Sequence, residues 1–227
     1  MGFANRTEAG RRLAAELAGY RGQDPVILAL PRGGVPVAVE IAAVLGAPLD
    51  LVMVRKIGAP VQPELAMGAV VDGSDPLVVR NEDVIAELGV NEAAFTAACQ
   101  RELAEIERRR RHFLGKRPPL EVAGRTAIVV DDGIATGATT RAALRAVRKR
   151  GPARLVLAVP VAPTSSLAEL AGEADDIVCL EDHEMFGAIG MFYADFRQLT
   201  DQEVIEILAR FSGDAPSPTS SERQPRA

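Results

Sequence analysis

The sequence predicts an α/β fold built on a mainly parallel sheet, and three observations carry that prediction. Five short runs, residues 26–30, 49–54, 127–130, 155–161 and 177–180, are apolar without alternation save for Asp50. Strands of that kind are buried on both faces, as parallel strands beneath helices are. Helical patterns alternate with them, the arrangement of parallel strands joined by right-handed crossovers. The 227 residues are 48% hydrophobic and 25% charged, enough apolar material for one ordinary core.

Each element has its own reason. After the first strand, residues 35–45 are apolar almost all round, a buried helix. After the second, residues 57–80 are rich in Gly and Pro and read as a long loop, with a small hairpin across Asp72-Gly73-Ser74; loops of that length in compact domains are typically lids, binding loops or disordered segments. Residues 91–115 read as a long polar helix ending in Arg108, Arg109, Arg110 and Arg111. Glu105 and Glu107 precede Arg109 and Arg111 by four positions, which makes this a solvated face laced with ion pairs. The helix over 138–150 puts Arg141, Arg145 and Arg148 on one side and stops at Gly151-Pro152, since Gly accepts the left-handed cap and Pro cannot continue. Ser166 with Glu169, and Thr200 with Glu203, are spaced as capping boxes. The last helix carries Val204, Ile205, Leu208 and Phe211 on one stripe. From residue 212 onward the composition offers almost nothing to bury and reads as a disordered tail, leaving 1–211 as one domain.

Gross composition excludes several classes. A net charge of -5 argues against a nucleic-acid surface. Cys99 and Cys179 make no disulfide framework and fit free thiols in a reducing compartment. Arg6, Glu8, Arg11, Arg12 and Glu16 stand where a signal peptide would be apolar. The longest apolar run, 155–162, contains Pro160 and is too short to span a bilayer. The expectation is a soluble cytoplasmic protein without a membrane or nucleic-acid partner.

The chemistry concentrates in TAIVVDDGIATGATTRAALRAVRKRG, residues 126–151. A buried strand delivers Asp131 and Asp132 to the edge of the sheet where α/β proteins bind ligands. Small residues follow, and then a helix begins. Backbone N–H groups of Ala135, Thr136, Gly137, Ala138 and Thr139 can approach a ligand closely, and the helix N-terminus adds unpaired donors and partial positive charge. An acid pair beside a phosphate cradle fits a sugar phosphate, with carboxylates accepting from vicinal hydroxyls.

AIVVDDGIATGAT, residues 127–139, resembles the signature of the type I phosphoribosyltransferases for 5-phosphoribosyl-1-pyrophosphate (PRPP). Gly133 departs from the apolar residue usual there. ALPRGGVPVA (29–38) is similar to the family's pyrophosphate loop. VRKIGAP (54–60) falls where many members set a basic residue against pyrophosphate, and 57–80 falls at their flexible lid. The resemblance covers roughly residues 5–211. It implies a doubly wound, mainly parallel five-stranded sheet with a lid and a small C-terminal hood over about 181–200. It further implies a dimer, and Mg²⁺ brought mainly by PRPP, with Asp131 and Asp195 as carboxylates toward the metal.

Roles follow residue by residue. Asp131 and Asp132 accept from the ribose hydroxyls. Arg32, with the N–H groups of Gly33 and Gly34, neutralises pyrophosphate; Arg55 and Lys56 either assist it or form a solvated pair, while Glu64 is a further polar residue of the lid. Displacement at C1 passes through an oxocarbenium-like sugar, so water must be kept out. The acceptor is left open. The hypoxanthine-guanine-type members have an aspartate where this chain has Ala135, so that mechanism is unsupported. Phe186, Phe192 and Tyr193 are candidates to stack on a planar base, with core packing as the competing reading for the hood aromatics, Phe196 included. Glu181, Asp182, His183 and Glu184 read better as a solvated loop than as a metal site, and His112 has no evident partner. Two other functions stay open: a PRPP-sensing regulator without turnover and, further behind, an acid-pair phosphohydrolase.

Overall fold

A computed structural model describes residues 2–60, 62, 65–73 and 76–212. Along the chain run α1 (Arg6–Glu16), β1 (Pro25–Ala29), α2 (Gly34–Leu45), β2 (Leu49–Leu51), β3 (Val54–Gly58), β4 (Ala66–Val71), β5 (Leu77–Arg80), α3 (Glu82–Glu87) and α4 (Glu92–Leu114). Then come β6 (Thr126–Val130), α5 (Ala138–Lys149), β7 (Arg154–Pro163), α6 (Thr164–Leu170), β8 (Asp176–His183) and α7 (Asp201–Ser212).

The five apolar runs become one parallel sheet in the order β2-β1-β6-β7-β8. Strands β1 and β6 are buried along their whole length. Their alternate residues face two different cores. Ile27, Ala29, Ile128 and Val130 pack with α1, α2 and α7, whereas Val26, Leu28, Ala127 and Val129 pack with α5. The sheet is therefore doubly wound. Each large apolar side chain so covered contributes on the order of 2 kcal/mol. Strand order reverses between β1 and β6, and a crevice opens at the carboxyl ends of strands on either side of such a switch point.

Three expectations change. The first concerns residues 57–80, where strands rather than a long loop are found: β3, β4 and β5 form a separate antiparallel sheet, with the expected hairpin joining β4 and β5. Gly and Pro between the strands hid two half-buried segments. Glu64 and Ser74 lie outside the described residues. Second, the run 49–54 is split. The N–H of Met53 donates to Asp72 Oδ1 at 2.8 Å and its carbonyl accepts from the Asp72 N–H at 3.0 Å, so the chain leaves β1 and enters the second sheet. Third, the arginine run of α4 is not uniformly solvated. Arg108 and Arg111 pair with Glu105 and Glu107 on the exposed side. Arg110 is buried and donates to Asp50 at 2.8 Å and to Asp72 at 3.1 Å.

The two capping boxes part company. Thr200 and Glu203 exchange bonds as expected: the Thr200 N–H donates to Glu203 Oε2 at 2.8 Å, and the Glu203 N–H to Thr200 Oγ1 at 3.2 Å. Ser166 lies inside α6 instead, and its hydroxyl donates to the Ala135 carbonyl at 2.9 Å. Helix α7 extends to Ser212, and the rest of the expected tail lies outside the described residues. Among the described residues no helix is long and apolar enough to cross a membrane, and both cysteines are free.

Candidate active site

Two loops meet at the switch point. The loop after β1 carries Arg32, Gly33 and Gly34; the loop after β6 carries Asp131 and Asp132. They are pressed together. A Cβ on Gly34 would stand 2.6 Å from the Val130 carbonyl oxygen, and one on Gly33 would overlap the Asp132 carboxylate. These glycines thus serve the contact between loops first. Gly133 has a similar reason, because a Cβ there would lie 2.6 Å from Ile189 Cγ2 of the hood. That contact explains its departure from the signature.

The two acids have different surroundings. Asp132 Oδ2 accepts from Arg6 Nε at 2.7 Å, and the Asp132 carbonyl accepts from the Tyr193 hydroxyl at 2.6 Å. Asp131 Oδ1 accepts from the N–H of Asp132 at 2.9 Å. Asp131 also lines a cleft with Pro31, Met53, Arg55, Ile106, Arg109 and Thr139. Burial, and then the charge of Asp132, hold the Asp131 carboxyl well above the usual carboxylate range. A carboxyl so placed is stabilised in its charged form by hydroxyl donors or a cation arriving in the cleft.

The cradle is open. Ala135, Thr136, Ala138 and Thr139 are exposed. Gly137 takes φ 73° at the N-cap of α5, where no side chain caps the helix, so the first-turn N–H groups face outward. Ser166 fixes the preceding turn through Ala135.

Around Asp201 at the start of α7 gather three basic side chains. Arg32 Nη1 and Arg109 Nη2 lie 3.6 and 3.7 Å from Asp201 Oδ1, and His112 Nε2 lies 4.0 Å from Oδ2. At those separations the guanidinium groups are attracted without being hydrogen-bonded, and Asp201 Oδ1 accepts no hydrogen bond. They keep donors for an anion. Arg55 is differently held, donating to Glu102 at 2.7 Å.

Other expected site residues are placed elsewhere. Lys56 is exposed on β3 and is not among the described residues that line the cleft with Asp131. Phe186 and Phe192 stack at 4.9 Å, and His183 stacks on Phe192 at 4.5 Å. Tyr193 is buried between Phe3 and Phe196, so both sides of its ring have partners within the chain. That packing agrees with the competing core reading of the hood aromatics. Asp195 turns its carboxylate to the backbone N–H of Arg197 at 3.2 Å, and its own N–H bonds the Ala4 carbonyl. Glu181, Asp182 and His183 belong to β8 instead of a loop.

Sequence reasoning missed Arg6, Arg109, Ser166 and Asp201. Only Arg109 had a signal, as part of the arginine run. A roomier hollow of about 500 Å³ beyond α4 is lined by Asp72, Leu103, Arg110 and Lys116 and holds none of the acid-loop residues. The site is identified by its chemistry, not by its size.

Known proteins resemble this chain in sequence and fold. Two curated relatives from Mycobacterium tuberculosis strains (CDC 1551 / Oshkosh and ATCC 25618 / H37Rv), provisionally named phosphoribosyl transferases, are 46% identical over 212 residues. That stretch is 93% of this chain and 47% of theirs, so the chain spans about half the length of these relatives. The crystal structure of TT1426 from Thermus thermophilus is 39% identical with a TM-score of 0.79, covering 93% of this chain and 99% of that one. The AQ2163 protein from Aquifex aeolicus, 13% identical with a TM-score of 0.50 over 82% of this chain and 78% of its own, shares the fold alone. The family model for the phosphoribosyl transferase domain matches residues 4–197, and the chain belongs to that family.

Proposed function

We propose that the protein binds PRPP and transfers its 5-phosphoribosyl group to a nitrogenous base or related nucleophile, releasing pyrophosphate. One juxtaposition carries the reading. The acid loop and the uncapped N-terminus of α5 follow β6, and across the switch point Arg32, Arg55 and Arg109 provide positive charge.

The α5 N-terminus, with the Thr136 and Thr139 hydroxyls, holds the 5-phosphate. Asp131 accepts from the ribose hydroxyls and fixes the ring. Arg32 and Arg109 take charge developing on pyrophosphate as its bond to C1 breaks and the bond from the base nitrogen forms. The proton that the base loses in that step leaves on the departing pyrophosphate, since Ala135 offers no group to receive it.

The family implies Mg²⁺. No group of three or more His, Cys, Asp or Glu stands together among the described residues, so those residues make no cage of their own. Asp131, an oxygen donor at the cleft, fits a cation that arrives on pyrophosphate and keeps most of its water. Bound there, Mg²⁺ supplies charge neutralisation to the leaving group.

Phe186 and Phe192 remain the aromatic faces nearest to an acceptor role, and a homodimer and a cytoplasmic location complete the proposal. The test is calorimetric titration of PRPP with and without Mg²⁺, beside Asp131→Asn, followed by pyrophosphate release with a panel of bases. Binding weakened by about thirtyfold in the variant and release with one base support the reading. Binding without release from any base turns it to a PRPP sensor, and no binding by folded protein ends it.

A further inference from the structure

Asp132 is where four segments meet. Its Oδ2 accepts from Arg6 Nε of α1 at 2.7 Å, and its carboxylate covers Gly33 of the loop after β1. Its carbonyl takes the hydroxyl of Tyr193 from the hood. Arg6 is itself immobilised: Nη1 donates to the Arg197 carbonyl at 3.1 Å, and its guanidinium carbon stands 4.0 Å over the centre of the Phe196 ring. Both partners of the ion pair are about nine-tenths buried. Among the described residues Asp131 has no such tether. Its carboxylate takes one local bond from the next residue and borders the cleft.

We infer that Arg6 is a positioning residue that commits Asp132 to holding the loops together, leaving Asp131 as the carboxylate that meets the ribose hydroxyls. The inference rests on the PRPP reading above and deepens it. Two adjacent carboxylates in a confined site repel one another, and a buried charge without its partner is costly. Arg6 compensates one of them, from a helix 126 positions away in sequence. Removing it leaves Asp132 buried and unpaired, and the loop must shift to return that carboxylate to water, taking Asp131 with it. Removing the Asp132 charge as well abolishes that demand.

The test is calorimetric binding of Mg-PRPP to the full chain and to four variants, with thermal unfolding recorded for each. Asp131→Asn is expected to weaken binding by about thirtyfold, and Asp132→Asn, whose amide oxygen still accepts from Arg6, by about threefold or less. Arg6→Met is expected to weaken binding by about tenfold, and Arg6→Met/Asp132→Asn to recover most of that loss. A residue that merely stabilised the fold would show no such recovery. Equal losses in folded Asp131→Asn and Asp132→Asn overturn the division of labour, as does a double variant as weak as Arg6→Met. Should Arg6→Met fail to fold, the two aspartate variants decide alone. Wild-type protein that binds no Mg-PRPP removes the functional reading beneath the inference, an outcome distinct from both.

Discussion

Gly33 lies against the carboxylate of Asp132 so closely that a methyl group on its Cα would overlap that carboxylate. Arg6 pins the same carboxylate from another side. Neither group can give way cheaply. Gly33→Ala should therefore lower PRPP affinity by about tenfold or more and reduce the melting temperature by several degrees, at about 1–3 kcal/mol of overpacking. Calorimetry and a thermal scan read both effects; an unaltered binding isotherm would show that the two loops separate freely.

Arg109 reaches the cleft from α4 and is held only loosely, 3.7 Å from Asp201. Its charge is thus available to a pyrophosphate. Arg109→Met should weaken binding of Mg-pyrophosphate by about tenfold, the scale of one charge-assisted contact, while thermal stability changes little. A titration with pyrophosphate alone checks this without any acceptor base.

Tyr193 closes the hood over the acid loop through its hydroxyl, 2.6 Å from the Asp132 carbonyl in a buried setting. Burial, with the Asp132 charge second, pushes that phenol upward, so it stays protonated and a donor at neutral pH. Tyr193→Phe keeps the ring between Phe3 and Phe196 but orphans the carbonyl. Urea unfolding should show a loss of about 1–2 kcal/mol, and a loss below about 0.5 kcal/mol would mean that water replaces the hydroxyl.

Asp72 gives the protein a pH dependence with a definite sign. Burial raises its carboxyl from the ordinary 3.8 to about 6, although the Met53 amide and Arg110 oppose the shift. Between those two values the native state holds more protons than the unfolded chain. The contribution of Asp72 to stability is thus fully present below pH 3.8 and is lost as pH rises through 6. Its size is on the order of 3 kcal/mol. Denaturation of wild type and Asp72→Asn at pH 4, 5, 6 and 7 isolates the effect, since the amide cannot titrate. The difference should move in favour of wild type as the pH falls.

What the sequence disclosed and what it concealed follow from range. Runs such as Val26-Ile27-Leu28-Ala29 are contiguous and apolar because both faces of a parallel strand are covered, so five strands can be read from composition alone. Thr200 with Glu203, and Gly151 at φ 67° after α5, are local devices whose partners lie within a few positions. The acid loop with its small residues is likewise a local pattern. Arg6 carries no mark of its destination, because the partner that gives it meaning stands at position 132. Ser166 has the spacing of a cap, yet tertiary contact with Ala135 claims its hydroxyl. Strands β3, β4 and β5 are half-buried and interrupted by Gly and Pro, so neither a continuous run nor a clean alternation betrays them.

Among the described residues, the second sheet shares no ladder with the first. Only Val52 and Met53 separate β2 of the first sheet from β3 of the second, while α4 and α5 lie along the smaller one. The cleft therefore has walls from both sheets: Asp131 and Thr139 follow β6 of the first, and Arg55 stands on β3 of the second. Side-chain packing and the Arg110 bridge between Asp50 and Asp72, not strand pairing, set the distance between them. On the proposed function, substitutions around Arg55 are expected to change how the pyrophosphate end is gripped more than how the ribose-phosphate end is held, so affinity for the two halves of the ligand should respond separately.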